Sequence, residues 1–177
     1  HVPSARSTCS LWLLNELGIE FELIEMAFDL KVLRAPEYLP IHPLGCVPCL
    51  VDDDQTIFES GAITQYLCEK RDDGTLSRAP GYPERYERLQ WRHYTETVAV
   101  HAASLVQQSV FIPEEQRSPI VQKLESCRLE KAVEILDNHL KDRAHLLASG
   151  FSAADVNVGT AAFWEPRLLV SMHSQPR

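Results

Sequence analysis

Glu59 and Ser60 stand side by side just ahead of an apolar helical pattern, so a carboxylate, a hydroxyl and free backbone N–H groups meet at one helix N-terminus. That set suits a zwitterion. The acid accepts from an ammonium, while the hydroxyl and amides donate to a carboxylate with the helix dipole behind them. Upstream, Val47-Pro48 precedes the apolar run Cys49-Leu50-Val51. Proline cannot donate to a ladder, so it belongs at the first residues of a strand. An X-Pro bond in so tight an approach is a candidate for the cis form, which leaves the Val47 N–H and C=O facing outward. Together these residues could hold an extended peptide by its backbone at one end and by its acid group at the other.

The elements that must position them are legible in the same stretch. Ser4 to Gly18 reads as a loop entering a helix, with Leu11, Leu14 and Leu17 at helical spacing and Gly18 as its stop. Ile19 to Met26 alternates apolar and acidic residues, the pattern of a short half-buried strand. Leu30 to Leu39 is helical or irregular. Strands near 47–51 and 56–59 are joined by the polar turn Asp52-Asp53-Asp54. Ser60 is the expected cap of a helix carrying Ile63, Tyr66 and Leu67.

The order is helix, strand, helix, strand, strand, helix. It predicts an α/β thioredoxin-like domain over residues 1–76, with most of its first strand missing ahead of His1. Asp72 to Tyr82, with Gly74, Pro80 and Gly81, has linker composition, and a linker is expected over 77–82. From Pro83 to the end no strand pattern occurs, which predicts an all-α helical domain over 83–177. A long helix is expected over Glu84–Val110. A second should start at Ser118-Pro119, and a third after Ser152, where Asp155 completes a capping box. After Trp164 the sequence loses helical regularity.

Bulk properties exclude several classes. The 177-residue chain is 45% hydrophobic and 24% charged, as an ordinary globular protein is. A net charge of −8 argues against nucleic acid or an anionic membrane as partner. No apolar run approaches the length of a bilayer span and no secretory segment opens the chain, so a cytoplasmic setting is expected. Five cysteines suit a reducing compartment better than a disulfide framework. Cys46-Val-Pro-Cys49 has the C-x-x-C pattern, but it flanks the proline and leads into a strand. A redox pair needs its thiol at a helix N-terminus, so no redox role is assigned, and no ligand spacing for a metal occurs.

Three segments carry a family resemblance. HVPSARSTCSLWLLNELGIEFEL, PEYLPIHPLGCVPCLVDDDQTIFESGAITQYL and FSAADVNVG follow one another in the order and spacing of cytosolic glutathione S-transferases of bacterial type. His42 stands where asparagine is more usual. The resemblance implies that Val47 pairs through its backbone with the cysteinyl part of glutathione and that Pro48 is the cis-proline. It further implies that Glu59 binds the γ-glutamyl amino group and Ser60 its carboxylate. Lys31 and Arg34 could reach the glycine carboxylate. The activity implied is attack of the glutathione thiolate on a small hydrophobic electrophile, in detoxification. The resemblance also implies glutathione as co-substrate, no metal, and a cytoplasmic homodimer.

The resemblance also places a thiolate-stabilising donor where the first loop enters its helix, because a donor there favours the anion. The usual serine position is Ala5. Ser4 and Ser7 flank it, and Arg6 adds positive charge, so Ser7 or Ser4 with neighbouring N–H groups is the expected catalytic set. Cys9-Ser10-Leu11 is similar to the cysteine motif of beta-class enzymes. This leaves open a glutathione-dependent disulfide or peroxide reductase using Cys9, or a non-catalytic binding module. On the long helix Tyr94, Thr97 and His101 are candidates for the electrophile pocket. Family members continue beyond Trp164, so the chain is expected to be short at both ends.

Overall fold

The computed structural model describes residues 1–173, with side chains through Phe163. The chain divides into two compact units, His1–Arg85 and Tyr86–Arg177.

The first unit opens with helix α1 (Ser7–Glu16), whose Leu13 and Leu14 are buried. Gly18 ends it at φ 61°, with Gly18 N–H donating to the Asn15 carbonyl and Ile19 N–H to the Leu14 carbonyl. That pair of bonds needs a left-handed residue, which glycine supplies. A short helix α2 (Leu30–Leu33) is capped by the Asp29 carboxylate, which accepts from the Lys31 N–H at 2.8 Å. Strands β1 (Cys49–Asp52) and β2 (Gln55–Phe58) form an antiparallel hairpin with Cys49 opposite Phe58 and Asp52 opposite Gln55. The turn is Asp53-Asp54, with Asp53 at φ 53°. Helix α3 (Ser60–Arg71) follows and packs on α1 and on the hairpin, burying Ile63, Thr64, Leu67 and Cys68. Each large apolar side chain so buried contributes about 1.5–3 kcal/mol.

The hairpin is also tied to α3 by charge. The Asp52 carboxylate accepts from the Tyr66 hydroxyl at 3.0 Å and from the Lys70 ammonium at 3.1 Å. These hydrogen bonds, Lys70 first, hold the Asp52 carboxyl below its usual range.

One expected strand is not formed. Residues 19–26 carry no ladder, and Phe21, Leu23 and Ile24 are exposed. Alternation marks a segment able to pair, whereas a strand exists only beside another. Among the described residues His1 lies alongside, its ammonium donating to the Ile24 carbonyl at 2.8 Å and its carbonyl accepting from the Met26 N–H at 2.7 Å. Segment 72–82 has linker composition but is anchored. The Asp72 carboxylate accepts from the Ser77 N–H at 2.7 Å and the Leu76 N–H at 3.2 Å, and Ser77 and Arg78 are buried.

The described part of the second unit is helical. Helix α4 (Arg85–Val106) runs into a π-helical turn, Gln107–Phe111, and a 3-10 turn, Glu114–Gln116. Arg117 clasps the region by donating to the Ser109 carbonyl at 2.8 Å and the Ile112 carbonyl at 3.0 Å. Helix α5 (Pro119–Leu140) begins as expected, with Ser118 accepting from the Val121 N–H and proline at the first helical position. Helix α6 (Ala153–His173) has the expected capping box. The Ser152 hydroxyl accepts from the Ala154 N–H at 3.3 Å, and Asp155 accepts from the Ser152 N–H at 2.8 Å. Contrary to expectation, α6 continues past Trp164 and Pro166 to His173; residues 174–177 lie outside the described part.

Among the described residues, two clusters form core in this unit. One gathers Trp91, Leu136, Leu146, Leu147, Ala154 and Val158; the other gathers Val98, Ala102, Leu105, Leu129 and Ala132, and Tyr94 packs against both. No described helix is long and apolar enough to cross a membrane.

Candidate functional site

The loop from His42 to Pro48 is folded by short-range bonds. Gly45 turns it at φ 61°, with its N–H donating to the His42 carbonyl at 2.8 Å. A side chain there would place Cβ 2.5 Å from the Leu33 carbonyl oxygen, so only glycine fits. The Tyr38 hydroxyl donates to the Cys46 carbonyl at 2.6 Å. The Val47-Pro48 bond is cis, in the form expected from the sequence.

This loop forms one wall of a cleft of about 240 Å³, to which it contributes His42, Leu44, Cys46, Val47 and Pro48. Glu59 and Ser60 form another part, and Arg6, which holds the N-cap position of α1, completes the lining.

Glu59, not Ser60, occupies the N-cap position of α3, and its side chain makes no capping bond. It holds φ 74° and ψ 115°, a conformation that costs a non-glycine residue about 1–3 kcal/mol. Ser60 is therefore the first helical residue. Its hydroxyl, like the Glu59 carboxylate, makes no hydrogen bond among the described residues. The pair thus presents one free acceptor and one free hydroxyl at the positive end of a 12-residue helix.

The other residues singled out from the sequence lie elsewhere. Ser7 is buried. Its hydroxyl accepts from the Val2 N–H at 3.1 Å, donates to the Val2 carbonyl at 3.1 Å and lies within hydrogen-bond distance of His1 Nδ1 at 2.9 Å. Ser4 is exposed at φ 62°. Neither lines the cleft, and neither does the exposed Lys31. Cys9 is buried on α1 and is absent from the lining as well.

In the second unit the Tyr94 hydroxyl donates to the Ala132 carbonyl at 3.0 Å, and burial pushes its pKa up. His101 Nδ1 pairs with Glu125 at 2.7 Å, while Thr97 is exposed. Among the described residues no group of His, Cys, Asp and Glu could hold a metal ion.

Three lining residues, His42, Leu44 and Cys46, were given no part in the site by the motif. His42 is only 4% exposed, with its ring against Tyr38 and Phe58 at centroid distances of 6.4 and 5.1 Å. Its Nδ1 is buried without a hydrogen-bond partner. Cys46 is exposed. Their place in the loop between Pro43 and Pro48, or next to it, was the available signal.

A family model described as the glutathione S-transferase N-terminal domain matches residues 1–69. The chain is 30% identical over 155 residues to glutathione S-transferase F13 of Arabidopsis thaliana, covering 81% of this chain and 68% of that one. It is 30% identical over 164 residues to glutathione S-transferase GstA of Escherichia coli O157:H7, covering 92% of this chain and 79% of that one. Its fold superposes on glutathione transferase URE2P6 from Phanerochaete chrysosporium, solved with oxidized glutathione, at a TM-score of 0.74 and 25% identity. That match covers 93% of this chain and 84% of the other.

Proposed function

The chain belongs to the glutathione S-transferase family, and on that premise we propose that it joins the glutathione thiolate to small hydrophobic electrophiles. One observation carries the reading: Glu59 and Ser60, with side chains otherwise unpartnered, share a cleft with Val47 and cis-Pro48. Glu59 accepts from the γ-glutamyl ammonium, and Ser60 with the first amides of α3 donates to the adjoining carboxylate. The Val47 backbone pairs with the cysteinyl residue, and Lys31 serves the glycine carboxylate. The thiol then meets Arg6 and the N-terminus of α1, where positive charge and helix dipole favour the anion and raise the fraction of nucleophile at neutral pH. Ser7 holds this loop through Val2, with Ser4 beside it.

The rest of catalysis is positioning of two reactants. Tyr94, Thr97 and His101 are the proposed contacts of the electrophile. A cytoplasmic homodimer acting in detoxification belongs to the same proposal, supported by family membership alone.

Calorimetric titration with glutathione, beside Ser60→Ala, tests it. The expected result is binding that weakens about tenfold in the variant, about 1.4 kcal/mol. No binding by a folded chain would overturn the reading. A second reading, a module that binds glutathione without turnover, is favoured by Ala5 at the usual serine position and by the engagement of the Ser7 hydroxyl with Val2. Binding without turnover across an electrophile screen would select it.

A further inference from the structure

The chain's five cysteines differ in their surroundings. Cys9 and Cys68 are buried in the first unit. Cys49 is half-buried with its Sγ directed at the Ile41 carbonyl at 3.6 Å, and burial pushes its thiol pKa up. Cys127 is exposed on α5, outside the cleft lining. Among the described residues, only Cys46 combines an exposed thiol with a place in the cleft wall.

Two further features of that wall point to a ligand against Cys46. Its carbonyl is held by the Tyr38 hydroxyl at 2.6 Å, and its Sγ is directed at the Leu44 carbonyl at 3.5 Å. His42, in the same wall, is 4% exposed and holds Nδ1 without a partner. Buried polar groups are almost always satisfied, and the unpartnered His42 Nδ1 in this wall is an exception among the described residues.

We propose that Cys46 is a site of reversible S-glutathionylation, directed by the cleft's own grip on glutathione. The inference rests on the binding reading above, because it uses the Glu59-Ser60 end of the cleft. Glutathione disulfide enters with one γ-glutamyl end on that pair, and the Cys46 thiolate attacks a disulfide sulfur. The new bond joins Cys46 Sγ to one glutathionyl sulfur as the glutathione S–S bond breaks. The other glutathione leaves as a thiolate and takes up the proton that Cys46 released. Cys46 is oxidised, the departing glutathione is reduced, and no further reactant is consumed.

The adduct fills the cleft and closes it to free glutathione. Excess reduced glutathione reverses it by attack on the mixed disulfide. The cleft is therefore sensitive to the ratio of glutathione disulfide to glutathione. Binding presents the disulfide to Cys46 at an effective concentration that Cys127 does not experience.

The full chain is treated with glutathione disulfide over a range of concentrations. Adducts at Cys46 and Cys127 are followed by peptide mass spectrometry, and glutathione affinity is measured separately by calorimetry. Cys46 is expected to react about tenfold or more faster than Cys127, with a rate that saturates in disulfide. S-methylglutathione should slow Cys46 and not Cys127, Ser60→Ala should slow Cys46, and dithiothreitol should remove the adduct. In Cys46→Ser the Cys127 adduct should form at an unchanged rate. Equal, unsaturable rates at the two cysteines would overturn the proposal, leaving Cys46 as an accessible thiol only. If glutathione binds while Cys46 shows no preference, this inference falls and the binding reading stands. If glutathione does not bind, both fall.

Discussion

The Tyr38 hydroxyl donates to the Cys46 carbonyl at 2.6 Å, bracing the backbone immediately before Val47. Tyr38→Phe removes that brace and keeps the ring against His42. Glutathione affinity is expected to fall about threefold to tenfold, with about 0.5–1.5 kcal/mol lost in stability. Calorimetry and urea unfolding would check the two effects separately.

Gly45→Ala meets a harder obstacle. Its Cβ would lie 2.5 Å from the Leu33 carbonyl oxygen, and the residue would still have to hold φ 61°. Backbone must shift, so a loss of about 2–4 kcal/mol is expected, read as a lower denaturant midpoint. Glutathione affinity should fall with it, because the same turn carries Cys46 and Val47 into the cleft.

Arg6 and Ser7 are adjacent but are placed for different tasks. Arg6→Ala should raise the thiol pKa of bound glutathione by about one unit, followed by ultraviolet absorbance of the thiolate across pH. Ser7→Ala should leave that pKa in place and cost about 1–3 kcal/mol of stability, since the Val2 amide loses a buried acceptor. A raised thiol pKa in Ser7→Ala would instead make Ser7 the direct donor.

Asp155 bridges two segments of the second unit. One carboxylate oxygen accepts from the Leu146 N–H at 2.8 Å, and the other from the Ser152 N–H at 2.8 Å and its hydroxyl at 2.9 Å. Asp155→Ala unmakes the cap of α6 and strands the Leu146 amide. A loss of about 2–4 kcal/mol is expected by chemical denaturation.

The pairing of His101 with Glu125 gives α4 and α5 a dependence on pH. The hydrogen bond from His101, aided by Arg128, holds the Glu125 carboxyl below its ordinary value of 4.5. A depressed folded pKa contributes stability that is present above the ordinary value and lost as pH falls through the folded one. Glu125→Gln should therefore flatten the acid limb of thermal stability below about pH 4.5 and change its slope little above it.

How much was legible depended on how local each signal was. The hairpin, the proline-capped start of α5 and the box at Ser152 are fixed by residues within a few positions of one another, and all were readable. Val47, Pro48, Glu59 and Ser60 were readable for the same reason, and the structure puts all four in one cleft. Ile19–Met26 was misread because alternation describes one strand while pairing requires two. Ser7 could not be placed, since whether a hydroxyl faces a cleft or clasps Val2 is decided by the path of the loop. His42 and Cys46 enter the cleft only because Gly45 turns the chain between them. The run of α6 through Pro166 was missed because proline forfeits a helical donor and reads as a stop.

Every residue lining the cleft falls between positions 6 and 60, whereas α4 begins at Arg85. On a ribosome, every residue lining this cleft has been polymerised before the first residue of the second unit is added. Occupancy by a small peptide can then favour the folded form of the emerging segment by mass action while synthesis continues. The order of the genetic message thus places recognition ahead of completion.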